Sequence, residues 1–146
     1  MVAPKTGKKF FTVAEANSTL PLVRVIVRDI TALAAELRER HERLYRLKPG
    51  DRFRLSDAHD EELRQVQAEL ERAQEKMEDY VRELTQLGVE LKDPLIGLID
   101  FPSLMNGRPV YLCWRLGEAE VAHWHELEAG FAGRQQLPSR ARSAAE

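Results

Sequence analysis

Two long segments of the chain carry hydrophobic residues at alternating spacings of three and four. The first repeat has one missing position, which is occupied by Arg40, and the second repeat is unbroken. A sustained 3.5-residue repeat is typical of helices that pack against a partner along a narrow seam. The repeat residues are Val23, Ile26, Ile30, Leu33, Leu37, Leu44 and Leu47 in the first segment, and Leu63, Val66, Leu70, Ala73, Met77, Tyr80, Leu84 and Leu87 in the second.

The sequence between the two repeats predicts that the helices fold back on each other. It contains Pro49-Gly50, which is a turn signal, and it offers Ser56 or Asp57 as the cap of the second helix. Because this connection is short, the helices should lie antiparallel as a coiled-coil-like hairpin. Gly88 is expected just after the C-terminal cap of the second helix, where glycine is favoured.

A short helix is predicted before the first repeat. Thr12 and Glu15 have the spacing of a capping box, in which each side chain accepts a hydrogen bond from the backbone N–H of the other residue. Pro21 then either kinks this helix or opens the long helix in its first turn, because proline lacks the N–H that a helix interior uses.

After the second repeat the pattern becomes that of β-strands. The segments "LIGLIDF" and "VYLCWRL" are rich in β-branched and aromatic residues, and the Asn106-Gly107 pair between them favours a tight turn. They predict a β-hairpin. The next segment, "VAHWHEL", would suit a helix face or a strand, and its aromatic content and the short turn before it favour a third antiparallel strand. The expected fold class is α+β.

Both faces of the predicted β-hairpin are largely apolar when side chains alternate along the strands. A helical hairpin covers only one face, so the C-terminal segment or another subunit must cover the other. We therefore expect a homodimer. A single domain is expected over residues 1–137, helical over 12–87 and sheet over 88–137, with a disordered tail over 138–146.

Composition sets the broad class of the protein. The chain has 146 residues, of which 43% are hydrophobic and 32% are charged, which suits one domain with a real core. No apolar run comes near the roughly 20 residues of a membrane span, and the start does not resemble a signal peptide. We therefore expect a cytoplasmic protein without a membrane partner. A single cysteine cannot form a disulfide within the chain.

The net charge of −2 hides a strong asymmetry between the two helical segments. Residues 22–54 carry nine Lys/Arg and five Asp/Glu, which gives +4, whereas residues 56–87 carry four and ten, which gives −6. A basic segment can bind nucleic acid through its phosphates. Here the acidic segment follows directly and can neutralise the basic one within the molecule. The charge pattern therefore argues against a nucleic-acid partner.

Four side chains in the predicted sheet region have the chemistry of metal ligands. Cys113, His125, Asp100 and Glu118 offer the thiolate, imidazole and carboxylate groups that zinc or iron accepts. Each comes from a different strand or turn, so no compact ligand motif is present. The alternative is that Cys113 is a buried core residue and that His125 donates to a backbone carbonyl.

Cys113 could also act as a nucleophile, with His125 as its base. Against this, its neighbours Leu112 and Trp114 place it in an apolar setting, which raises the pKa of a thiol and makes it inert.

A ligand or partner surface is the other candidate site, formed by Glu118, Trp124 and Arg134. Arg134 could bind an anionic ligand or pair with Asp100 or Glu128. The internal pairing is favoured because seven acidic residues face four basic ones between residues 88 and 134. The same surplus disfavours a phosphate-rich ligand there.

The chain resembles a known bacterial family, the domain of unknown function 2203, from Phe11 to Leu137. The resemblance is carried by "FTVAEANSTLP" near the start and by most of the sheet region. His123 lies outside the family pattern, which weakens any scheme that needs two histidines. The resemblance implies no activity. The matching positions are Asp100 to Pro102, Leu112 to Trp114, Gly117-Glu118, Trp124-His125, Gly130, Phe131, Gly133 and Arg134.

Two functions are consistent with these patterns. The first is a non-enzymatic oligomeric binding or scaffold module with a polar site at its sheet end, whose partner is a protein or a small molecule. The second is a metal-binding protein or metal-dependent enzyme that uses Cys113, His125, Asp100 and Glu118. The sequence identifies no substrate.

Overall fold

The computed structural model describes residues 9–47 and 57–138. Two long helices pack as a hairpin, and five antiparallel strands follow them, each paired with its neighbours in chain order. The α+β fold and the helical hairpin are therefore confirmed. The helices are α1 (Val13–Leu47) and α2 (Asp57–Gln86), and the strands are β1 (Glu90–Asp93), β2 (Leu98–Met105), β3 (Arg108–Arg115), β4 (His123–His125) and β5 (Gln135–Gln136).

Some of the predicted features lie outside the described residues. These are the turn at Pro49-Gly50, the cap at Ser56 and the tail beyond Pro138. Within the described part of the chain, no helix is both long enough and apolar enough to cross a membrane.

The first helix begins at the predicted capping box but does not break where predicted. The Thr12 backbone N–H donates to Glu15 Oε1 at 2.9 Å, and the Glu15 N–H donates to Thr12 Oγ1 at 3.0 Å. The prediction of a separate short helix is wrong, because α1 continues through Pro21. The missing hydrogen bond costs about 3 kcal/mol, and burial of Leu20 and Val23 on either side of the exposed proline offsets that cost.

The second helix ends just before Gly88, which lies after the C-terminal cap as predicted. Gly88 has φ +89°, its N–H donates to the Thr85 carbonyl at 2.9 Å, and the Val89 N–H donates to the Leu84 carbonyl at 3.0 Å. This pair of bonds is a Schellman motif, which satisfies carbonyls at the helix end. Val89 and Leu84 are both buried in the core, so the chain passes directly from α2 into the sheet.

Arg40, which interrupts the apolar repeat of α1, connects the two helices through ion pairs. Its guanidinium donates to Glu69 Oε1 of α2 at 2.6 Å and to Glu36 Oε2 at 2.8 Å. The bonds to Glu36 and Glu69 raise the pKa of Arg40. Arg43 pairs with Glu62 at 3.0 Å. The basic and acidic helices therefore neutralise each other in part, as their opposite charges predicted.

The predicted turn at Asn106-Gly107 sets the register of the central β-hairpin. Asn106 and Gly107 have φ of +55° and +77°, which are typical of the tight turns that suit the twist of paired strands. Asp100 of β2 then lies opposite Cys113 of β3. The residues of the inner face are buried against α1 and form the core with it, and they are Ile99, Phe101, Leu112 and Trp114.

The outer face of the sheet is covered by short segments of the same chain. After β4 the chain crosses this face, where the Phe131 ring lies 4.9 Å from the Arg134 guanidinium and 6.0 Å from that of Arg115. At the other edge, Lys92 of β1 lies 4.7 Å from the Tyr111 ring. The described residues thus cover the second face of the sheet from within the chain. The homodimer, which was expected as one way to cover that face, stays a prediction.

Gly97 tests how tightly the sheet packs on α1. A Cβ atom there would lie 2.7 Å from Leu116 Cβ and 2.9 Å from Val27 Cγ1, and φ is +70°. Gly97→Ala should therefore lower the free energy of unfolding by about 2 to 4 kcal/mol, from overpacking and backbone strain together. Urea denaturation followed by circular dichroism measures this change.

Gly107→Ala is the matched control, because Gly107 also has positive φ but no atom of the described residues lies within 4 Å of an added Cβ. It should lose only the backbone contribution, about 1 kcal/mol. Equal losses in the two variants would show that the contact with α1 is not tight.

Candidate functional site

Three of the four predicted metal ligands meet on the outer face of the sheet. Asp100, Cys113 and His125 each present one potential ligand atom, and these atoms all lie within 4.8 Å of one another. The residues are 2%, 0% and 2% exposed, respectively. Residues from three neighbouring strands therefore form one buried polar cluster, called the Asp-Cys-His cluster below.

The strand register and α1 together place these side chains. Cys113 lies opposite Asp100 of β2 on one side and opposite His123 of β4 on the other. His125 lies two residues further along β4, opposite Tyr111, and its side chain reaches the cluster from there. The start of β4 is held by Asn17 of α1, which accepts from the Val121 N–H at 2.7 Å and donates to the Val121 carbonyl at 3.3 Å. The helix thus helps to set the position of His125.

The hydrogen bonds of His125 create a conflict at its second ring nitrogen. Nδ1 lies 2.7 Å from the Glu126 carbonyl oxygen, which can only accept, so Nδ1 carries the proton. Nε2 lies 2.9 Å from Asp100 Oδ2. In a neutral imidazole this nitrogen is an acceptor, and so is the carboxylate. The contact therefore needs either one further proton or a cation that both atoms bind.

The other carboxylate oxygen of Asp100, Oδ1, is a second feature that bears on the chemistry of the cluster. Oδ1 is buried and has no hydrogen-bond partner among the described residues. Burial raises the pKa of Asp100, whereas the neighbouring His125 and a weak hydrogen bond from the Cys113 thiol oppose that rise. A buried polar group without a partner costs about 1 to 3 kcal/mol, so a group that binds Oδ1 would stabilise the folded chain.

Cys113 is not arranged as a nucleophile. Burial, and after it the Asp100 charge, raises the pKa of the Cys113 thiol to about 12, so without a metal the thiol is protonated at neutral pH. Both ring nitrogens of His125 already face other oxygens, at Glu126 and Asp100. Among the described residues, His125 thus makes its hydrogen bonds to Glu126 and Asp100 and not to the thiol.

Glu118, the fourth predicted ligand, lies apart from the cluster. Its Oε1 accepts from the Arg115 backbone N–H at 3.0 Å and closes the turn after β3. Its Oε2 pairs with Arg134. The structure therefore pairs Arg134 within the molecule, as favoured by the sequence, but with Glu118 instead of Asp100 or Glu128.

Trp124 is separated from the other two residues of the predicted ligand surface. It lies opposite Leu112 in the ladder and packs, partly buried, against the core on the inner face. Arg134 instead contacts His123, whose side chain points to the outer face. The sheet itself thus lies between Trp124 and Arg134.

Two residues beside the cluster were not among the sequence candidates. The Tyr111 ring lies 5.4 Å from the His125 ring, and its hydroxyl donates to Glu90 Oε1 at 2.9 Å. His123 accepts from Arg134 at Nδ1 and lies opposite Cys113. Tyr111 could have been found from its alternation with Cys113 along β3, whereas the position of His123 depends on the β3–β4 register.

Comparison with known proteins identifies a family but no characterised relative. The model of a family described as "Uncharacterized conserved protein (DUF2203)" matches residues 9–137. No curated protein and no solved structure gives a significant match to the chain.

Thiol labelling tests the inert state of Cys113. With a thiol pKa of about 12, only about one thiol in ten thousand is ionised at pH 8 in metal-free protein, and the side chain is fully buried. A disulfide reagent such as Ellman's reagent should label native protein over hours and denatured protein within seconds. Rapid labelling of the native protein would show an accessible, activated thiol.

Proposed function

The chain belongs to the family described as "Uncharacterized conserved protein (DUF2203)", because the model of that family matches residues 9–137. That description names no activity, so we propose a function from the geometry of the site. The protein binds a divalent transition-metal ion through Asp100, Cys113 and His125. The observation that carries this proposal is the buried Asp100 carboxylate, with one oxygen unpartnered and the other facing a ring nitrogen that accepts.

The donor set supports zinc first and iron second. Thiolate, imidazole and carboxylate are all ligands of Zn²⁺, and the thiolate disfavours Mg²⁺ and Ca²⁺. Donor atoms on one tetrahedral zinc ion lie about 3.5 Å apart, given metal–ligand bonds of about 2.0 to 2.3 Å. The three donors lie within 4.8 Å of one another, so small side-chain adjustments would bring them to that spacing.

Charge and hydrogen bonding also support a divalent ion. One thiolate and one carboxylate balance its two positive charges, so the buried site is neutral as a whole, which limits the cost of burying charge. The bond from His125 Nδ1 to the Glu126 carbonyl leaves Nε2 as the metal-binding nitrogen. Metal-bound histidines commonly donate their other N–H in this way, because the bond fixes the tautomer and the ring orientation.

Three protein donors leave one position of a tetrahedral ion open. Structural zinc sites have four protein ligands, whereas catalytic zinc sites keep one position for water or substrate. This donor count supports a centre that acts on or binds a ligand over one that only links strands. The non-enzymatic scaffold is the competing hypothesis, and in it a proton joins Asp100 to His125 and no metal binds.

Metal content decides between these hypotheses. Untagged protein purified without chelator should contain about one zinc or iron per chain by plasma mass spectrometry, from the single donor set. Cys113→Ser and His125→Ala should each abolish this metal while circular dichroism shows the helices intact. His123→Ala is the control, because His123 lies on the same face but outside the cluster, and it should keep the metal.

A different pattern would favour the scaffold. Metal-free wild-type protein would contradict the metal site. Cys113→Ser would then only reduce stability, by about 1 to 3 kcal/mol, because it buries a hydroxyl in place of a thiol.

Chelation should also lower stability, because the three ligands join β2, β3 and β4. A metal present at 100 times its dissociation constant stabilises the folded chain by about 2.7 kcal/mol. Removing it with EDTA should lower the Tm of wild-type protein in differential scanning calorimetry. The same treatment should leave the Tm of His125→Ala unchanged, and an equal shift in that variant would mean that EDTA acts elsewhere.

A further inference from the structure

Arg134 is held rigidly beside the Asp-Cys-His cluster. Its Nη2 group pairs with Glu118 Oε2 and donates to His123 Nδ1. Its guanidinium also lies 4.9 Å from the centroid of the Phe131 ring. Only 12% of the side chain is exposed. An arginine fixed in this way has already lost its side-chain freedom, so a ligand would bind it at a smaller entropic cost.

The strand register places this guanidinium towards Cys113. His123, which Arg134 contacts, is the direct ladder partner of Cys113. Residues paired directly across strands project from the same face with neighbouring side chains. Arg134 therefore lies on the β4 side of the cluster, whereas Asp100 lies on the β2 side of Cys113.

Arg134 also has hydrogen-bonding capacity left over. A guanidinium has five N–H donors, and the hydrogen bonds of Arg134 to described residues all come from Nη2. One N–H on Nε and two on Nη1 are thus available to a ligand. Charged N–H donors of arginine favour the oxygens of carboxylate and phosphate groups.

We propose that Arg134 binds one oxygen of a ligand carboxylate whose other oxygen occupies the open metal position next to Cys113. This role rests on the proposed metal function. A carboxylate is favoured over a phosphate because the charges of the proposed metal ion and of Arg134 are each already balanced within the site. The metal is balanced by Asp100 and the Cys113 thiolate, and Arg134 is already balanced by Glu118. A singly charged group therefore fits better than a doubly charged one.

Cobalt-substituted protein provides the test, since the visible spectrum of Co²⁺ reports its coordination. Acetate is the probe, and it is titrated into Co²⁺-loaded wild-type protein and variants. Acetate should change the wild-type spectrum with saturation. Arg134→Gln should keep its Co²⁺ but raise the apparent Kd for acetate about tenfold or more, as expected for a lost bond to a charged group.

Arg115→Gln is the matched control. Arg115 also lies over the Phe131 ring, at 6.0 Å, but its side chain is exposed. Its loss should change the Kd for acetate less than about twofold, as surface charges contribute little. Arg134→Lys is a second variant that keeps the charge and should show an intermediate Kd for acetate. It replaces Arg134→Gln in the titration if that variant does not fold.

The outcomes separate the two proposals. Wild-type protein that binds no Co²⁺ would overturn the metal function and the role of Arg134 with it. Co²⁺-loaded protein whose spectrum ignores acetate, or an Arg134→Gln variant with wild-type affinity, would overturn the role of Arg134 alone. Inorganic phosphate that binds more tightly than acetate would overturn the preference for carboxylate.

Discussion

The register between β2 and β3 is the constraint on which the rest of the molecule depends. Side chains alternate along a strand, so a slip of one residue would exchange the two faces of that strand. In the observed register Ile99 and Phe101 enter the core while Asp100 points to the outer face. The two-residue turn at Asn106-Gly107 selects this pairing, because few other residues adopt positive φ at both positions. The core and the Asp-Cys-His cluster therefore depend on the same turn.

Polar groups on the outer face are buried by segments too short to form a layer of their own. Asp100 and His125 are each 3% exposed at the side chain, although α1 and α2 lie on the other face. The cover comes from Tyr111 and Lys92 on one side and from the segment that carries Phe131 and Arg134 on the other. Buried polar groups need partners, so the cluster and its cover depend on each other. A cation would supply the partner that Asp100 Oδ1 lacks.

Local signals in the sequence predicted much of the fold, and pairing between distant segments was harder to predict. The long repeats, the Thr12–Glu15 capping box and Gly88 act over a few residues, and the structure confirms each of them. Side-chain chemistry alone selected Asp100, Cys113 and His125 as candidates. The register of β4 against β3 could not be predicted from the sequence, because β4 has only three residues and its position depends on Asn17 of α1. β1 and β5 were missed because four and two residues are too few to show alternation. Glu118 was expected among the ligands, but its turn directs it to Arg134.

The length of the helical hairpin has a consequence for its local stability. At about 1.5 Å per residue, the 35 residues of α1 extend about 52 Å, whereas its contribution to the main core ends at Ile30. Beyond that point the arm is held by the seam with α2 and by ion pairs such as Arg40–Glu69. A two-helix seam buries less apolar surface per residue than the core does, so this arm can open without unfolding the sheet. Amide hydrogens in its outer half should exchange with solvent through such partial openings, independently of the Asp-Cys-His cluster.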